Sequence, residues 1–168
     1  MKRKITLVVI LIVVAYAAKK GFDYYGKYQD SNDLKIGIDK FQFPELNLSN
    51  IFQDIVAKVT ININNFSDTT FNIKQLKIDV LNQEQKLVAE QQYPIEQPIE
   101  LKPNQANKFA LNLLISSPNV ANLIKAAGGI ANVGANYLVN GKYNIPIQIV
   151  GFVRAEGIKI PINEKIIV

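Results

Sequence analysis

Carboxylates are the main groups in this sequence that could carry out acid–base chemistry, because the chain contains no histidine and no cysteine. Its fourteen Asp and Glu residues could in principle supply a catalytic pair. Most of them fall at alternating strand positions or in turns, where such side chains ordinarily face solvent. Nucleophile–histidine pairs and the commonest transition-metal ligands are excluded, and no nucleophile-elbow, P-loop or GxGxxG motif occurs. We therefore predict a protein that is not an enzyme and that binds no cofactor and no metal.

The N-terminal segment is the most distinctive element of the chain. An uncharged run from Ile5 to Ala18 is flanked by basic residues on both sides. Apolar side chains gain about 25 cal/mol per Å² on leaving water, so this run favours a lipid bilayer. The residues predicted to span the membrane include Ile5, Leu7, Val8, Val9, Ile10, Leu11, Ile12, Val13 and Val14. Those predicted at the membrane interface are Lys2, Arg3, Lys4, Lys19, Lys20, Tyr24 and Tyr25.

Two interpretations of this segment remain open. A run of about fourteen residues at about 1.5 Å each is shorter than a hydrocarbon core of about 30 Å. Snorkelling lysines and an aromatic belt would extend it, so we favour an uncleaved anchor with a transmembrane helix over about residues 5–25. The triplet Ala15-Tyr16-Ala17 would also suit signal-peptidase cleavage. For an anchor, the positive-inside rule places the N-terminus in the cytoplasm and the domain on the extracytoplasmic side, and a viral membrane is the alternative location.

The net charge of +5 is confined to the N-terminal segment. Residues 1–28 hold six basic residues and one acid, so the rest of the chain contains thirteen of each sign. Nucleic-acid binding requires Lys and Arg clustered on one face, whereas these basic residues are scattered among acids. We therefore expect no nucleic-acid partner. The chain divides into an anchor, residues 1–28, and a neutral domain, residues 29–168.

A period of two in the apolar residues predicts a mainly β domain. Val59, Ile61 and Ile63 alternate with polar residues, and a phase shift between Ile73 and Leu76 predicts a β-bulge. Seven or so short strands favour an antiparallel two-sheet sandwich of the immunoglobulin or fibronectin-III type, with one short crossing helix. The predicted core includes Val59, Ile61, Ile63, Phe71, Ile73, Ile78, Val80, Phe109, Leu111, Leu113, Ile147, Ile149, Phe152 and Ile160.

One helix and one proline-rich segment interrupt the strands. Ser117 is a suitable N-cap, Pro118 suits the first helical position, and Gly128-Gly129 would end the helix. A second short turn of helix from Ile130 to Val139 is left open. Proline cannot donate to a strand ladder, so the proline-rich segment is predicted to be an irregular edge. The residues predicted to face a partner along this edge are Tyr93, Pro94, Pro98 and Pro103.

Residues 51–168 resemble the late-embryogenesis-abundant group 2 domain, also called the water-stress and hypersensitive-response (WHy) domain. The matching features are the Asn-rich turn that ends the strand from Val59, the Pro-capped helix at Ser117-Pro118, and the closing hairpin around Pro161. A Tyr-containing strand after Asn140-Gly141-Lys142-Tyr143 also matches. Asn65 stands where the family usually has proline. The resemblance implies a fibronectin-III-like sandwich without catalytic residues.

Three functions remain open from the sequence. The first is a membrane-anchored, non-enzymatic binding module whose partners are the lipid bilayer and other proteins of a membrane-associated assembly. The second is a structural subunit linking a membrane to an envelope complex, a secretion complex or a membrane-containing virion. The third, implied by the family resemblance, is protection against stress and desiccation. A lipid-carrying sandwich with an apolar cavity is a further possibility.

Overall fold

A long helix leads directly into a β-domain. The computed structural model describes the backbone of residues 2–44, 46, 52–93, 95 and 97–168, and side chains in these ranges from Tyr16 onward. Helix α1 spans Lys2–Asp30, and one 3-10 turn, Ser31–Asp33, joins it to the first strand. The strands are β1 Leu34–Gln42, β2 Ile55–Asn65, β3 Phe71–Leu81, β4 Leu87–Gln91, β5 Ile99–Leu101, β6 Gln105–Ile115, β7 Pro146–Ala155 and β8 Ile158–Ile167.

The eight strands form one antiparallel sheet in the order β1-β2-β6-β4-β3-β7-β8, with β5 beside β3. Strand β4 makes the sheet continuous, because it pairs with β3 on one side and with β6 on the other. The mainly β, antiparallel character is confirmed, and so is the bulge in β3, where the register shifts between Ile73 and Gln75. The structure differs from the predicted pair of separate sheets, since β4 hydrogen-bonds to both halves.

Two short helices cover one end of the sheet, and the second lies where the sequence left a further helical turn open. They are α2, Ser117–Ala126, and α3, Ile130–Asn140. Their separation follows from Gly128 and Gly129, whose φ angles of 89° and 90° take the backbone out of the helical region. The N-cap of α2 is Ser116, one residue before the predicted Ser117. The backbone N–H of Ser117 instead donates to Oδ1 of Asp54 at 2.7 Å. A carboxylate 63 residues away in the chain therefore pairs with one of the free N–H groups at this helix N-terminus.

Apolar and polar residues alternate along the strands, and this alternation places the apolar side chains in the core. The predicted core residues that are buried are Val59, Ile61, Ile63, Phe71, Ile73, Ile78, Val80, Leu113, Ile147 and Ile149. Phe109, Leu111 and Ile160 are half-buried and pack against this cluster. The prediction for Phe152 is wrong, because the inward residues of β7 have odd numbers, such as the buried Val153. Phe152 lies on the opposite face, with Lys159 Nζ 4.5 Å from the centre of its ring.

Strands β1 and β8, the two ends of the sheet, meet along a seam that brings the sheet close to a barrel. Across it, the backbone N–H of Ile38 donates to Oε1 of Glu164 at 3.1 Å. The register of β1 shifts between Ile38 and Lys40 at the same place. In the described part of the chain, no backbone ladder joins β1 to β8. A bulge and a carboxylate on the core-facing side are devices by which proteins protect a sheet edge.

The helix α1 and the two short helices lie at opposite ends of the sheet. Leu34, which follows α1, is opposite Asn65 at the end of β2, whereas Ile115, which precedes α2, is opposite Ile55 at its start. A strand of this length spans about 35 Å at about 3.4 Å per residue. We call these the helix end, at α1, and the cap end, at α2 and α3.

Candidate functional site

The predicted membrane-interface residues that have described side chains lie on α1. Lys19, Lys20, Tyr24 and Tyr25 are exposed there. Where the structure describes side chains, no helix is both long enough and apolar enough to cross a bilayer. The predicted spanning residues, Ile5 and Leu7 to Val14, and the basic residues Lys2, Arg3 and Lys4 lie outside the described side chains.

The end of α1 is fixed to the domain by two polar contacts. Lys27 Nζ lies 3.3 Å from Oε2 of Glu156, in the turn between β7 and β8. Asp30 accepts a hydrogen bond from the hydroxyl group of Thr69, in the turn between β2 and β3. Because the contacts reach two different turns, together they restrain the direction in which α1 leaves the domain. We call this set of contacts the helix junction.

Glu156 occupies a backbone conformation that this residue type rarely adopts. Its φ is 49° and that of Gly157 is 86°, as in a two-residue type I′ hairpin, which prefers Asn and Gly. Its Oε1 accepts hydrogen bonds from Asn72, at 2.7 Å from the side-chain amide and 3.2 Å from the backbone N–H. The bond from the Asn72 amide, assisted by Lys27, lowers the pKa of Glu156 below its usual 4.5. These contacts to α1 and β3 offset an unfavourable position in the turn.

Asn65 stabilises the β2–β3 turn, which contacts the end of α1 through Thr69. Its side chain is almost fully buried, at 1% exposure for the residue. The amide Nδ2 donates to the carbonyls of Thr69 at 2.8 Å, Lys102 at 3.0 Å and Leu101 at 3.2 Å. Its Oδ1 accepts from the backbone N–H of Ser67 at 3.1 Å and from the Ser67 hydroxyl at 2.7 Å. Asn65 therefore links this turn to the end of β5.

The predicted partner-facing segment is only partly described, and it is less irregular than expected. Tyr93, Pro98 and Pro103 are exposed, and Pro94 lies outside the described residues. Between Pro98 and Pro103 lies β5, which pairs with β3. This short strand is possible because the two prolines flank it and do not interrupt its ladder.

Strand β6 is bordered along only part of its length. On one side the whole strand, Gln105–Ile115, pairs with β2. On the other side β4 pairs with residues 113–114 alone, and Gln92 then donates one backbone hydrogen bond to the Asn112 carbonyl at 2.9 Å. Among the described residues, no strand pairs with Gln105–Leu111 on this side. We call this stretch the open β6 edge.

Burial along the core-facing side of β6 follows the pairing. Leu113 and Ile115, beside β4, are at most 1% exposed. Phe109 and Leu111, on the open β6 edge, are only half-buried although they point to the same core. The open β6 edge is thus also the place where the core is less completely covered.

An aromatic surface groove of about 520 Å³ lies where β1, β8 and α3 meet. The rings of Tyr137 and Tyr143 stack with centroids 4.6 Å apart, and Phe43 meets Tyr143 edge-on at 6.0 Å. The Tyr143 hydroxyl donates to the Pro44 carbonyl at 3.2 Å and accepts from the Leu46 N–H at 3.1 Å. These contacts explain the groove as packing between the cap end and β1.

Several of the carboxylates that could have formed a reacting pair lie beside lysines instead. Five described acids form ion pairs with lysine, namely Asp39, Asp79, Glu84, Glu100 and Glu156. The hydrogen bond from Lys86 lowers the pKa of Glu84 in the exposed β3–β4 turn. Among the described residues, no three His, Cys, Asp or Glu side chains are grouped so that they could hold a metal ion.

Comparison with known proteins yields structural similarity alone. No family model matches the chain, and no curated protein matches it. A Northeast Structural Genomics Consortium target is 13% identical, with 80% of this chain and 83% of that chain covered at a TM-score of 0.46. A protein from Arabidopsis thaliana, solved in solution, is 12% identical, with 80% of this chain and 83% of that chain covered at a TM-score of 0.46.

A β-glucuronidase of glycoside hydrolase family 2 is also 12% identical, at a TM-score of 0.46. The alignment covers 80% of this chain but only 11% of the enzyme. At such identities and TM-scores, no activity or partner is transferred from these proteins to this chain.

Two features of the site could not be predicted from the sequence. The pair Glu156-Gly157 signals a turn, but its contact with Asn72, 84 residues away, has no local signal. The open β6 edge is equally hidden, because the pattern of β6 records which side chains face the core and not which strands lie beside it.

Proposed function

We propose that this chain is a non-enzymatic module that its N-terminal helix holds at a membrane surface. The observation that supports this most directly is the continuity of α1. The apolar run of the sequence, the lysine- and tyrosine-rich segment after it and the helix junction all belong to one helix, Lys2–Asp30. A module joined in this way stays near the lipid and keeps a restricted orientation.

The length of α1 beyond the apolar run sets the distance between domain and bilayer. From Ala18 to Asp30 the helix rises about 18 Å, at about 1.5 Å per residue. Exposed Tyr24 and Tyr25 would lie in the interfacial region, where amphipathic rings are favoured. The helix end of the sheet would then lie close above the lipid headgroups, with the cap end directed away from the membrane on the extracytoplasmic side.

Extraction of cell membranes at alkaline pH tests this proposal. The full-length chain with an intact N-terminus should remain in the membrane fraction, whereas the double variant V9D/L11D should move to the aqueous fraction, because two buried charges disfavour insertion. The matched control is L138D/V139D, which introduces the same charges at residues that are 86% and 80% exposed on α3. A wild-type chain that is recovered uncleaved in the aqueous fraction would contradict the proposal. Since the chain lacks cysteine, labelling of K142C by an impermeant maleimide in intact cells reports the side of the domain.

A second candidate, a structural subunit of a larger membrane-bound assembly, is favoured by the cap end. Residues 116–140 contain one charged side chain, Lys125, and Leu138 and Val139 are exposed there. Charge depletion around exposed apolar residues is typical of interface cores. Chromatography of native, detergent-extracted material separates the candidates: a defined multi-subunit complex supports the subunit, and a monomer supports an independent module, including the protective role that the resemblance to the WHy domain implies.

A further inference from the structure

We propose that the open β6 edge binds an extended segment of another protein as an additional strand. This inference rests on the proposed role as a membrane-presented module, and it names the kind of partner that such a module would hold. It is carried by three observations, which concern the backbone of β6, the burial of its side chains and the contrast with the seam between β1 and β8.

The backbone of Gln105–Leu111 lacks a neighbouring strand on one side among the described residues. Each of these residues carries one N–H and one C=O group, and an edge strand presents part of these groups outward as a row. The stretch is about 24 Å long at about 3.4 Å per residue, which suits a typical strand of about five or six residues. An extended backbone is the ligand that matches such a row of donors and acceptors.

Strand β4 provides an internal example of what an added strand would do. Where β4 lies beside β6, Leu113 has no exposed surface and Ile115 is 1% exposed. Where β4 has ended, Phe109 and Leu111 are half-buried. Strand β5 follows β4 along β3, so an added strand would extend the pairing of β4 with β6 alone. It would cover these two side chains in the same way.

The seam between β1 and β8 shows how this fold protects an edge. There a register shift and the Glu164 carboxylate occupy the position of a ladder. The open β6 edge has neither device: β6 pairs with β2 without a register shift, and the only charged side chain of Gln105–Leu111 is Lys108. Lys108 faces away from the core and lies 2.9 Å from Asp39 of β1. The seam is therefore protected by two devices, whereas among the described residues the open β6 edge carries only Lys108, which is paired with Asp39 of β1.

These surroundings define the chemistry of the partner segment. Side chains on its core-facing side would meet Phe109 and Leu111, so they should be apolar. Side chains on its other side would lie beside Ala106, Lys108 and Ala110, which are exposed. Because Lys108 is already paired with Asp39, uncharged polar residues suit this side. The expected partner segment alternates apolar and uncharged polar residues and contains no proline.

Hydrogen exchange of the full-length chain in detergent micelles, read by mass spectrometry, tests the proposal. The probe is a capped peptide of about nine residues that alternates valine and threonine. At about millimolar peptide, we expect amide exchange in Gln105–Leu111 to slow about tenfold. The matched control peptide has the same side chains with alternate backbone nitrogens methylated, which removes the donors, and it should leave the exchange unchanged.

Two substitutions locate the binding. F109K places an ammonium group at the open β6 edge, where an added strand would bury it, so the slowing should be lost. F152K makes the same change at a half-buried ring on the opposite face of the sheet, away from this edge, and should retain the slowing. If F109K does not fold, A110K adds a charge at an exposed residue of the same edge and should weaken binding at least several-fold.

Several results would overturn the inference. These are unchanged exchange in Gln105–Leu111, equal slowing by the methylated peptide, and slowing confined to β1 and β8. Protection of this stretch without peptide, in a dimer, would assign the edge to a second copy of the chain. Membrane extraction is scored separately, so a chain that binds the peptide but is not retained by membranes would contradict the anchoring proposal alone.

Discussion

Asn65 illustrates how a single buried amide can organise a turn. Its Nδ2 and Oδ1 together make five hydrogen bonds, with partners in the β2–β3 turn and at the end of β5. Burying a polar side chain is unfavourable unless its groups are paired, and here both ends of the amide are paired. The turn that it organises carries Thr69, which bonds to Asp30 of α1. A local hydrogen-bond centre therefore supports the helix junction.

Replacement of Asn65 by leucine should destabilise the fold. N65L keeps a similar volume but leaves the carbonyls of Thr69, Leu101 and Lys102 without this donor, so we expect a loss of about 3 kcal/mol in the free energy of unfolding. Urea unfolding of the full-length chain in micelles, followed by circular dichroism, measures it. N163L, the same change at an exposed asparagine of β8, should alter stability by less than about 0.5 kcal/mol. Equal stability of the two variants would mean that the Asn65 bonds contribute little.

At the scale of elements, β3 and β7 approach each other closely at Gly151. Gly151 is opposite Ile78 in the β3–β7 ladder. A Cβ atom at this position would lie 2.0 Å from the backbone carbonyl oxygen of Lys77. Backbone cannot yield as a flexible side chain can, so the contact requires glycine. The bulge between Ile73 and Gln75 lies in the same pair of strands, so the β3–β7 ladder combines a bend with a close approach.

Alanine at position 151 should therefore separate these strands. We expect G151A to lower the free energy of unfolding by about 3 kcal/mol or more, because the added methyl group overlaps a backbone atom. The control is G134A in α3, where a Cβ would meet nothing within 4 Å. Alanine is favoured over glycine in a helix, so G134A should be neutral or more stable by up to about 1 kcal/mol. A thermal melt with G151A at or above the wild-type midpoint would refute the close approach.

At the scale of the whole molecule, the helix junction restrains the direction of α1 relative to the β-domain. Its ion pair, Lys27–Glu156, is partly exposed, and such pairs contribute little to stability. The ion pair instead restrains the direction of α1, because it joins α1 to the β7–β8 turn and these two elements have few other contacts with each other. Under the proposed function, α1 at one end of the sheet would lie at the membrane, and the charge-poor cap at the other end would face a partner.

The junction should respond to acid. The pKa of Glu156 is lowered in the folded chain, first by the Asn72 amide and then by Lys27, so its carboxylate stabilises the folded state above the usual value of 4.5. That stabilisation should be lost as the pH falls through the lowered pKa. We expect the stability of wild type relative to E156Q to be greatest near neutral pH and to vanish below the lowered pKa, measured by urea unfolding across this range.

The control for this titration is E90Q, which removes an exposed carboxylate of β4 that lies opposite Asp79, at the other end of β3 from Asn72. Its difference from wild type should change less over the same pH range. A pH-independent difference between wild type and E156Q would show that the carboxylate has no net interaction at the junction.

Local periodicity in the sequence predicts which side chains of a strand face the core. The inward faces of β2 and β3, from Val59 to Val80, followed from alternation, because a strand presents every second side chain to the same side. The prediction for Phe152 is wrong because the alternation of β7 places its neighbour Val153 inside. The anchoring function of the N-terminal run and the resemblance to the WHy domain stay predictions.

Composition and spacing by themselves determined that the chain lacks histidine and cysteine, that its excess charge is N-terminal, and that its domain is built from antiparallel strands. Only the tertiary structure decided that β4 joins the two halves of the sheet, that Glu156 and Thr69 hold the end of α1, and that no described strand pairs with Gln105–Leu111 on one side. The physical reason is the separation along the chain of the residues that decide each feature. Periodicity records which way a side chain points, whereas strand neighbours and buried hydrogen bonds depend on residues far apart in the chain, which no local pattern specifies.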